Sequence, residues 1–397
     1  MRSLLLIFTF VTSVLAGPWI QVPPLGHAET IELPPKALGH NKRTLTNVTT
    51  TETTAWGATC TELHFPISVK RTTPYNLTLE NYNVTILYET AKRHVLVSNT
   101  YEIAGRLCVP APQHRKRNLD DTIQVLVHGA TFNKIMWDLP YKPEKYSYTK
   151  RVNEEGYTTF AFDLIGAGNS TFPNGLMETN TGTFVEITHQ VIQKLRTTTT
   201  FGNKTWKRII FGGFSIGGIV ANSLSEKYPA DVDLLLLHGI SWDITWIYPA
   251  FLAGLQASAS TIDPQRWGGI EPFYQTQTTR ASRIAACFHG DYEAEITEWD
   301  WRLRDFDSLG AALTFTFHLV TAPKFKGPVF LGIGENDSTF CGGEKCSTAP
   351  YDVVKRFPRA KVHNVRVYKN TGHLVLFHKT GPQLIEDSLR FLKENGF

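Results

Sequence analysis

Charge is scarce in this 397-residue sequence: Asp, Glu, Lys and Arg make up 19% of it, and Lys+Arg 40 against Asp+Glu 36 leave a formal net charge of +4. So mild an excess, with no dense basic stripe, gives nothing to follow a phosphate backbone, and no nucleic-acid partner is expected. Long apolar runs are missing after the N-terminus. The best of them, around Leu234 to Leu237, falls far short of the roughly 20 residues that cross a bilayer, so no stable membrane anchor is expected. Glycine and proline show no period, and nothing repeats at solenoid or propeller lengths, which removes fibrous and repeat architectures. What remains is 42% hydrophobic and 12% aromatic, enough to bury a large core as one domain with an insertion or as two domains.

The N-terminus carries the one compartment signal. Met1 and Arg2 precede an apolar run from Leu4 to Phe10, and Val14-Leu15-Ala16 supplies small residues where a signal peptidase cuts. Thr9, Thr12, Ser13 and the pair Gly17-Pro18 interrupt the stretch before it reaches spanning length, so residues 1–16 are expected to be a cleaved signal peptide and the mature protein to be secreted. N-x-[ST] sequons at Asn47, Asn76, Asn83, Asn169, Asn203 and Asn336 fit that route, the first five as glycosylation candidates. The five cysteines are odd in number, so one is free or paired between chains. Cys60 and Cys108 lie near two early strand-like runs and Cys341 and Cys346 flank a Gly-Gly turn, which makes these the expected disulfides and leaves Cys287 over. Zinc is the weaker reading, since the spacings are wrong for ligands, and no metal is expected.

Residues 17–59, rich in Pro, Thr and His without a period of 2 or 3.6, read as an extended surface arm. Lys42-Arg43 within it is either a dibasic processing site or, more simply, part of a solvated loop. Alternating runs at Leu63–Val69, Val84–Tyr88 and Tyr101–Val109 predict antiparallel strands that lead the sheet. From Thr122 the texture changes to short continuous apolar runs separated by helix-length segments, as in a parallel sheet covered on both faces. The strands expected are 123–127, 158–162, 208–212, 232–237, 329–333 and 362–368, with helices over 184–195, 218–228, 351–357 and 384–392 between them. The fold class is therefore α/β.

Gly213-Phe214-Ser215-Ile216-Gly217 falls between the strand 208–212 and a helical pattern, so G-x-S-x-G sits at a strand-to-helix junction. A serine on such a sharp turn has its hydroxyl exposed at the sheet edge, and Gly213 and Gly217 remove side chains that would collide with the neighbouring strand and helix. In these residues the chain resembles the α/β-hydrolase superfamily. His128-Gly129-Ala130 looks like that family's oxyanion loop, which implies Ala130 and Ile216 as backbone N–H donors and a bracing role for the His128 ring. Asp163 to Ser170 matches the family's D-x-x-G-x-G-x-S turn. The family order of Ser, acid and His implies Ser215 as nucleophile, Asp337 in preference to Glu335 as the acid, and His373 in preference to His378 as the base.

The same resemblance implies a core at 60–240 and 324–397 interrupted by a cap at 241–323. Five of the 9 tryptophans, Trp242, Trp246, Trp267, Trp299 and Trp301, fall in that cap with Tyr248, Phe251, Phe273, Tyr274, Phe315 and Phe317. An aromatic, apolar pocket roof is expected, with most of these rings forming the cap's own core. The acidic run Asp291, Glu293, Glu295, Glu298 and Asp300 reads as a solvated helix face, or as an amine-binding site where it faces the pocket. The expected activity is hydrolysis of a fairly apolar carboxylic ester, lactone or thioester through an acyl-enzyme, with no cofactor. The secreted, capped chain looks like fungal secreted members of the superfamily, some of which tailor secondary metabolites. A peptidase of the proline-iminopeptidase type and a non-catalytic binding protein on the same scaffold are the alternatives.

Overall fold

A computed structural model of the chain describes residues 30–32, 49–55, 58–73, 94–342 and 344–397. The expected signal peptide, Lys42-Arg43, the sequons at Asn47, Asn76 and Asn83, and the strand run 84–88 lie outside the described residues. In chain order the strands are β1 (Thr30–Glu32), β2 (Thr49–Ala55), β3 (Ala58–Thr73), β4 (His94–Val109), β5 (Thr122–Val127), β6 (Thr158–Phe162), β7 (Arg208–Phe214), β8 (Leu234–His238), β9 (Gln256–Ser258), β10 (Tyr274–Gln277), β11 (Asp307–Ser308), β12 (Val329–Gly334) and β13 (His363–Tyr368). Ten of them form one sheet in the order β13-β12-β8-β7-β5-β6-β4-β3-β2, with β1 beside β4. From β13 to β6 all neighbours run parallel; β6, β4, β3 and β2 then pair antiparallel.

The parallel strands are the continuous apolar runs of the sequence because helices cover both of their faces, and every residue of β5, β6, β8 and β12 is buried. β13, at the sheet edge, keeps most of its residues partly exposed. Part of the segment read as a surface arm instead joins the sheet: β2 pairs with β3 along its whole length, as suits its Thr-rich, β-branched sequence. Cys60 and Cys108 stand directly opposite each other in the β3–β4 register with sulfurs 2.04 Å apart, and Cys341 and Cys346 are likewise at bonding distance. Cys287 is free and buried.

The helices that position the site are α1 (Tyr148–Glu154), α2 (Thr181–Thr197), α3 (Ile216–Lys227), α4 (Ile247–Ala253), α5 (Arg280–Cys287), α6 (Ala294–Leu303), α7 (Leu309–Thr314) and α8 (Gly381–Glu394). The helix expected over 351–357 is only a 3-10 turn, Ala349–Asp352, followed by one α-turn, Val353–Arg356. Pro350 opens it, and Phe357 leaves helical geometry to bury its ring. Residues 241–323 run from β8 to β12 and hold α4 to α7 with a second, three-stranded sheet in the order β11-β10-β9. Among the described residues no helix is long and apolar enough to cross a membrane.

Candidate active site

β7 delivers Ser215 to the carboxyl edge of the sheet and α3 starts at the next residue. The turn between them is so sharp that Ser215 takes φ 52°, in a region that costs an L-residue of order 1–3 kcal/mol and persists where the surroundings enforce it. The enforcement is visible in the flanking glycines. A Cβ on Gly217 would stand 2.3 Å from the Val127 carbonyl of β5, and one on Gly213 2.4 Å from the Gly217 carbonyl. A larger residue at either position would push strand and helix apart.

β12 and β13 end beside the same edge and supply the other two groups. The His373 imidazole donates from Nδ1 to Asp337 Oδ2 at 2.8 Å, which leaves Nε2 to accept the Ser215 hydroxyl at 3.1 Å. Asp337 is fully buried, and its second oxygen accepts the N–H groups of Thr339 and Phe340 at 2.9 and 3.0 Å. The carboxylate is thus held without a cation, by donors on both oxygens. The rings of Phe214 and Phe340 pack against His373 at centroid distances of 4.9 and 5.7 Å and restrict its tilt. Glu335, the neighbouring acid, is exposed and accepts the Asn370 N–H, so it takes no part in this row. His378 is buried, donates to the Leu374 carbonyl and accepts the Gly372 N–H, bracing the loop that carries His373.

The loop after β5 approaches from the other side. His128 is buried with its pKa lowered by desolvation, so the ring is neutral; it donates from Nδ1 to the Gly129 carbonyl and accepts the Leu164 N–H at Nε2. Lys134 and Asp163 form a buried ion pair at 2.7 Å, and Asp163 also accepts the N–H groups of Lys134 and Asn169. These bonds fasten the D-x-x-G-x-G-x-S turn beneath the loop. The N–H groups of Ala130 and Ile216, both on the pocket wall beside Ser215, meet no partner among the described residues. Ile216 opens α3, where backbone N–H groups are left over and the helix dipole is positive.

Above these groups lies a pocket of about 680 Å³, its mouth included, with Ser215 and His373 in its wall. Ile219, Ile247, Ala250, Phe251, Ala311 and Phe315 make the wall largely apolar. The aromatic roof expected from the sequence is therefore reduced to Phe251 and Phe315 on the insert side, with Phe132 and Phe340 from the core loops. No tryptophan lines it: Trp267 packs on Phe306 at 4.9 Å, and Trp301 lies under the Arg304 guanidinium. Cys287 reaches the pocket, but burial pushes its thiol up to about 12, which leaves it protonated and unreactive.

The acidic run of the insert does not face the pocket. Glu293 accepts hydrogen bonds from Tyr141, Tyr146 and Lys142, while Asp291 and Glu295 are exposed. Asp300 is a correction to the solvated reading, since it is buried in a two-pronged ion pair with Arg283. Arg283 is the residue that sequence reasoning missed. From α5 it also donates to Thr131 Oγ1 and Gln277 Oε1, both at 2.9 Å, and its guanidinium lies over the Phe132 ring at 4.4 Å. The backbone completes the junction, with Thr131 N–H donating to Phe306 O and Asp305 N–H to Thr131 O. The insert is thereby stitched to the loop that carries Ala130.

A family profile described as the alpha/beta hydrolase family matches residues 124–383, which include every one of these site residues. The chain belongs to the alpha/beta hydrolase family. Solved members show the fold at a distance in sequence. A thermophilic esterase from Thermogutta terrifontis superposes with a TM-score of 0.51 at 14% identity, over 83% of this chain and 100% of the esterase. A Rickettsia typhi protein assigned as a hydrolase does so with a TM-score of 0.50 at 14% identity, over 82% of this chain and 99% of its own. No curated protein sequence matches this alpha/beta hydrolase significantly.

Proposed function

We propose that this alpha/beta hydrolase is a secreted serine esterase in which Ser215 is the nucleophile, His373 the general base and Asp337 the acid that orients it. The carrying observation is the row of hydrogen bonds from Ser215 Oγ through His373 to Asp337, opening into an apolar pocket. A serine hydroxyl attacks an acyl carbon only as its proton leaves, and His373 Nε2 is placed to take it. Asp337 accepts the Nδ1–H bond and stabilises the imidazolium through it. The tetrahedral oxyanion is received by the N–H groups of Ala130 and Ile216, which carry partial positive charge and need no reorganisation. His373 then returns the proton to the leaving alkoxide, and water activated by the same ring releases the acid.

Secretion rests on the apolar run Leu4 to Phe10 and on the disulfide-distance cysteine pairs, which suit an oxidising compartment. Asn169 and Asn203 are exposed, as glycan acceptors must be. A substrate with an apolar acyl or alcohol portion fits the pocket wall. The peptidase reading loses the acidic run as its amine site, since none of those five residues lines the pocket. The test is hydrolysis of p-nitrophenyl esters of rising chain length beside aminoacyl amides. The reading expects ester turnover that disappears in Ser215→Ala; turnover of amides alone, or an unchanged rate in Ser215→Ala, would overturn it.

A further inference from the structure

The small sheet of the insert brings polar side chains to the pocket. In its register Gln256 stands opposite Gln277, and Asp307 stands opposite Gln275. Residues two apart on a strand share a face, so Gln256, Gln277 and Asp307 lie on the same side of the sheet, and all three line the pocket. Ser308, the other residue of β11, has its hydroxyl engaged elsewhere, donating to Thr179 O and accepting the Ala311 N–H.

Asp307 is the anomaly of this face. It is only 8% exposed, and no side-chain donor or charged group among the described residues meets its carboxyl. Every other buried acid named above has donors: Asp300 has Arg283, Asp305 has Asn133 and the Gly168 N–H, and Asp163 has Lys134. Burial pushes the Asp307 carboxyl up to about 7. A buried carboxyl left this way in a largely apolar pocket contributes nothing to the fold that an apolar residue would not, and a substrate group is the partner it lacks.

Resting on the esterase reading, we propose that Asp307, on the pocket face that Gln256 and Gln277 share, makes the pocket selective for esters whose otherwise apolar buried portion carries a hydroxyl. Below its raised titration point the carboxyl is protonated and both donates and accepts, as a neutral hydroxyl does, so the two satisfy each other without bringing a charge into the apolar wall. A site built to bond a hydroxyl rejects the analogue without it, because its own polar groups are then left unpaired.

The test compares p-nitrophenyl alkanoates of one chain length: unsubstituted, hydroxylated at successive carbons, and amino-substituted. The parent is expected to favour one hydroxyl isomer over the plain ester by about tenfold or more in kcat/KM. Asp307→Leu should erase that ratio, and Asp307→Asn, which keeps shape and hydrogen bonding, should retain part of it. Calorimetric binding of the same esters to Ser215→Ala reads the preference without turnover, so loss of the esterase reading and loss of this one are separable. Equal affinity for plain and hydroxylated esters in the parent pocket, a ratio unchanged in Asp307→Leu, or preference for the amino ester would each overturn the assignment.

Discussion

The sheet edge and the insert build one pocket by opposite means. At the sheet edge the site is dictated by backbone geometry: a strained Ser215, glycines where no Cβ fits, and loops at the ends of β5, β7, β12 and β13 that converge because the strands are parallel. In the insert the elements are short, and position is set by side-chain contacts made across the molecule, such as Arg283 to Asp300, Thr131 and Gln277. The lesson is that the proposed nucleophile is anchored where the backbone leaves no choice, whereas the insert wall of the pocket hangs on a few buried polar pairs that substitution can retune.

Substitutions sharpen this contrast. At the sheet edge Ser215→Ala should lower kcat by at least about 10⁴-fold with an unchanged melting curve, because it removes an atom of the chemistry and nothing of the packing. Asp337→Asn should cost less, about 10²- to 10⁴-fold in kcat, by favouring the wrong His373 tautomer. Glu335→Gln, two residues away and exposed, should leave kcat near the parent's. Steady-state kinetics of the three variants checks that ranking, and equal losses at Asp337 and Glu335 would break it.

In the insert the large effect should fall on stability instead. Asp300→Asn leaves the buried Arg283 guanidinium uncompensated and should cost about 3–5 kcal/mol in denaturant titration, while Arg283→Met with Asp300→Leu should recover much of it. If the single variant melts like the parent, the insert is not held by this pair. The smallest effect is pH-dependent. Asp307 has a folded pKa of about 7 against an ordinary 3.8, so the folded state holds its proton more tightly and stability is lost as pH rises between the two values. Asp307→Asn removes the loss, and its Tm should exceed the parent's by a margin that widens from pH 5 to pH 8. A constant margin in scanning calorimetry would mean that the carboxyl is not desolvated.

The same contrast explains what could be read in the sequence. The runs forming β5 to β8 and β12 and the strand-to-helix junction at G-x-S-x-G were legible, because a period or a glycine pattern marks each of them, and a place after a strand brought Asp337 and His373 into the hydrogen-bonded row with Ser215. Cys60 and Cys108 were legible for the same reason, as neighbours on two alternating runs. Arg283 was not, since one arginine in an amphipathic helix looks solvated until its partners are known, and Asp300 misled for the same reason. Which of the insert's rings reach the pocket was not legible, because composition counts rings without saying which way they face. β2 was missed because a run of threonines carries no apolar alternation, and its pairing with β3 supplies the order.

The central claim is that Ser215 is an activated nucleophile, and active-site labelling addresses it most directly. Purified protein is treated with an alkyl fluorophosphonate, digested and sequenced by mass spectrometry, with Ser215→Ala as control. The account predicts a single adduct on Ser215, absent from the variant. Folded protein that takes no adduct, or takes it on another residue, would contradict it.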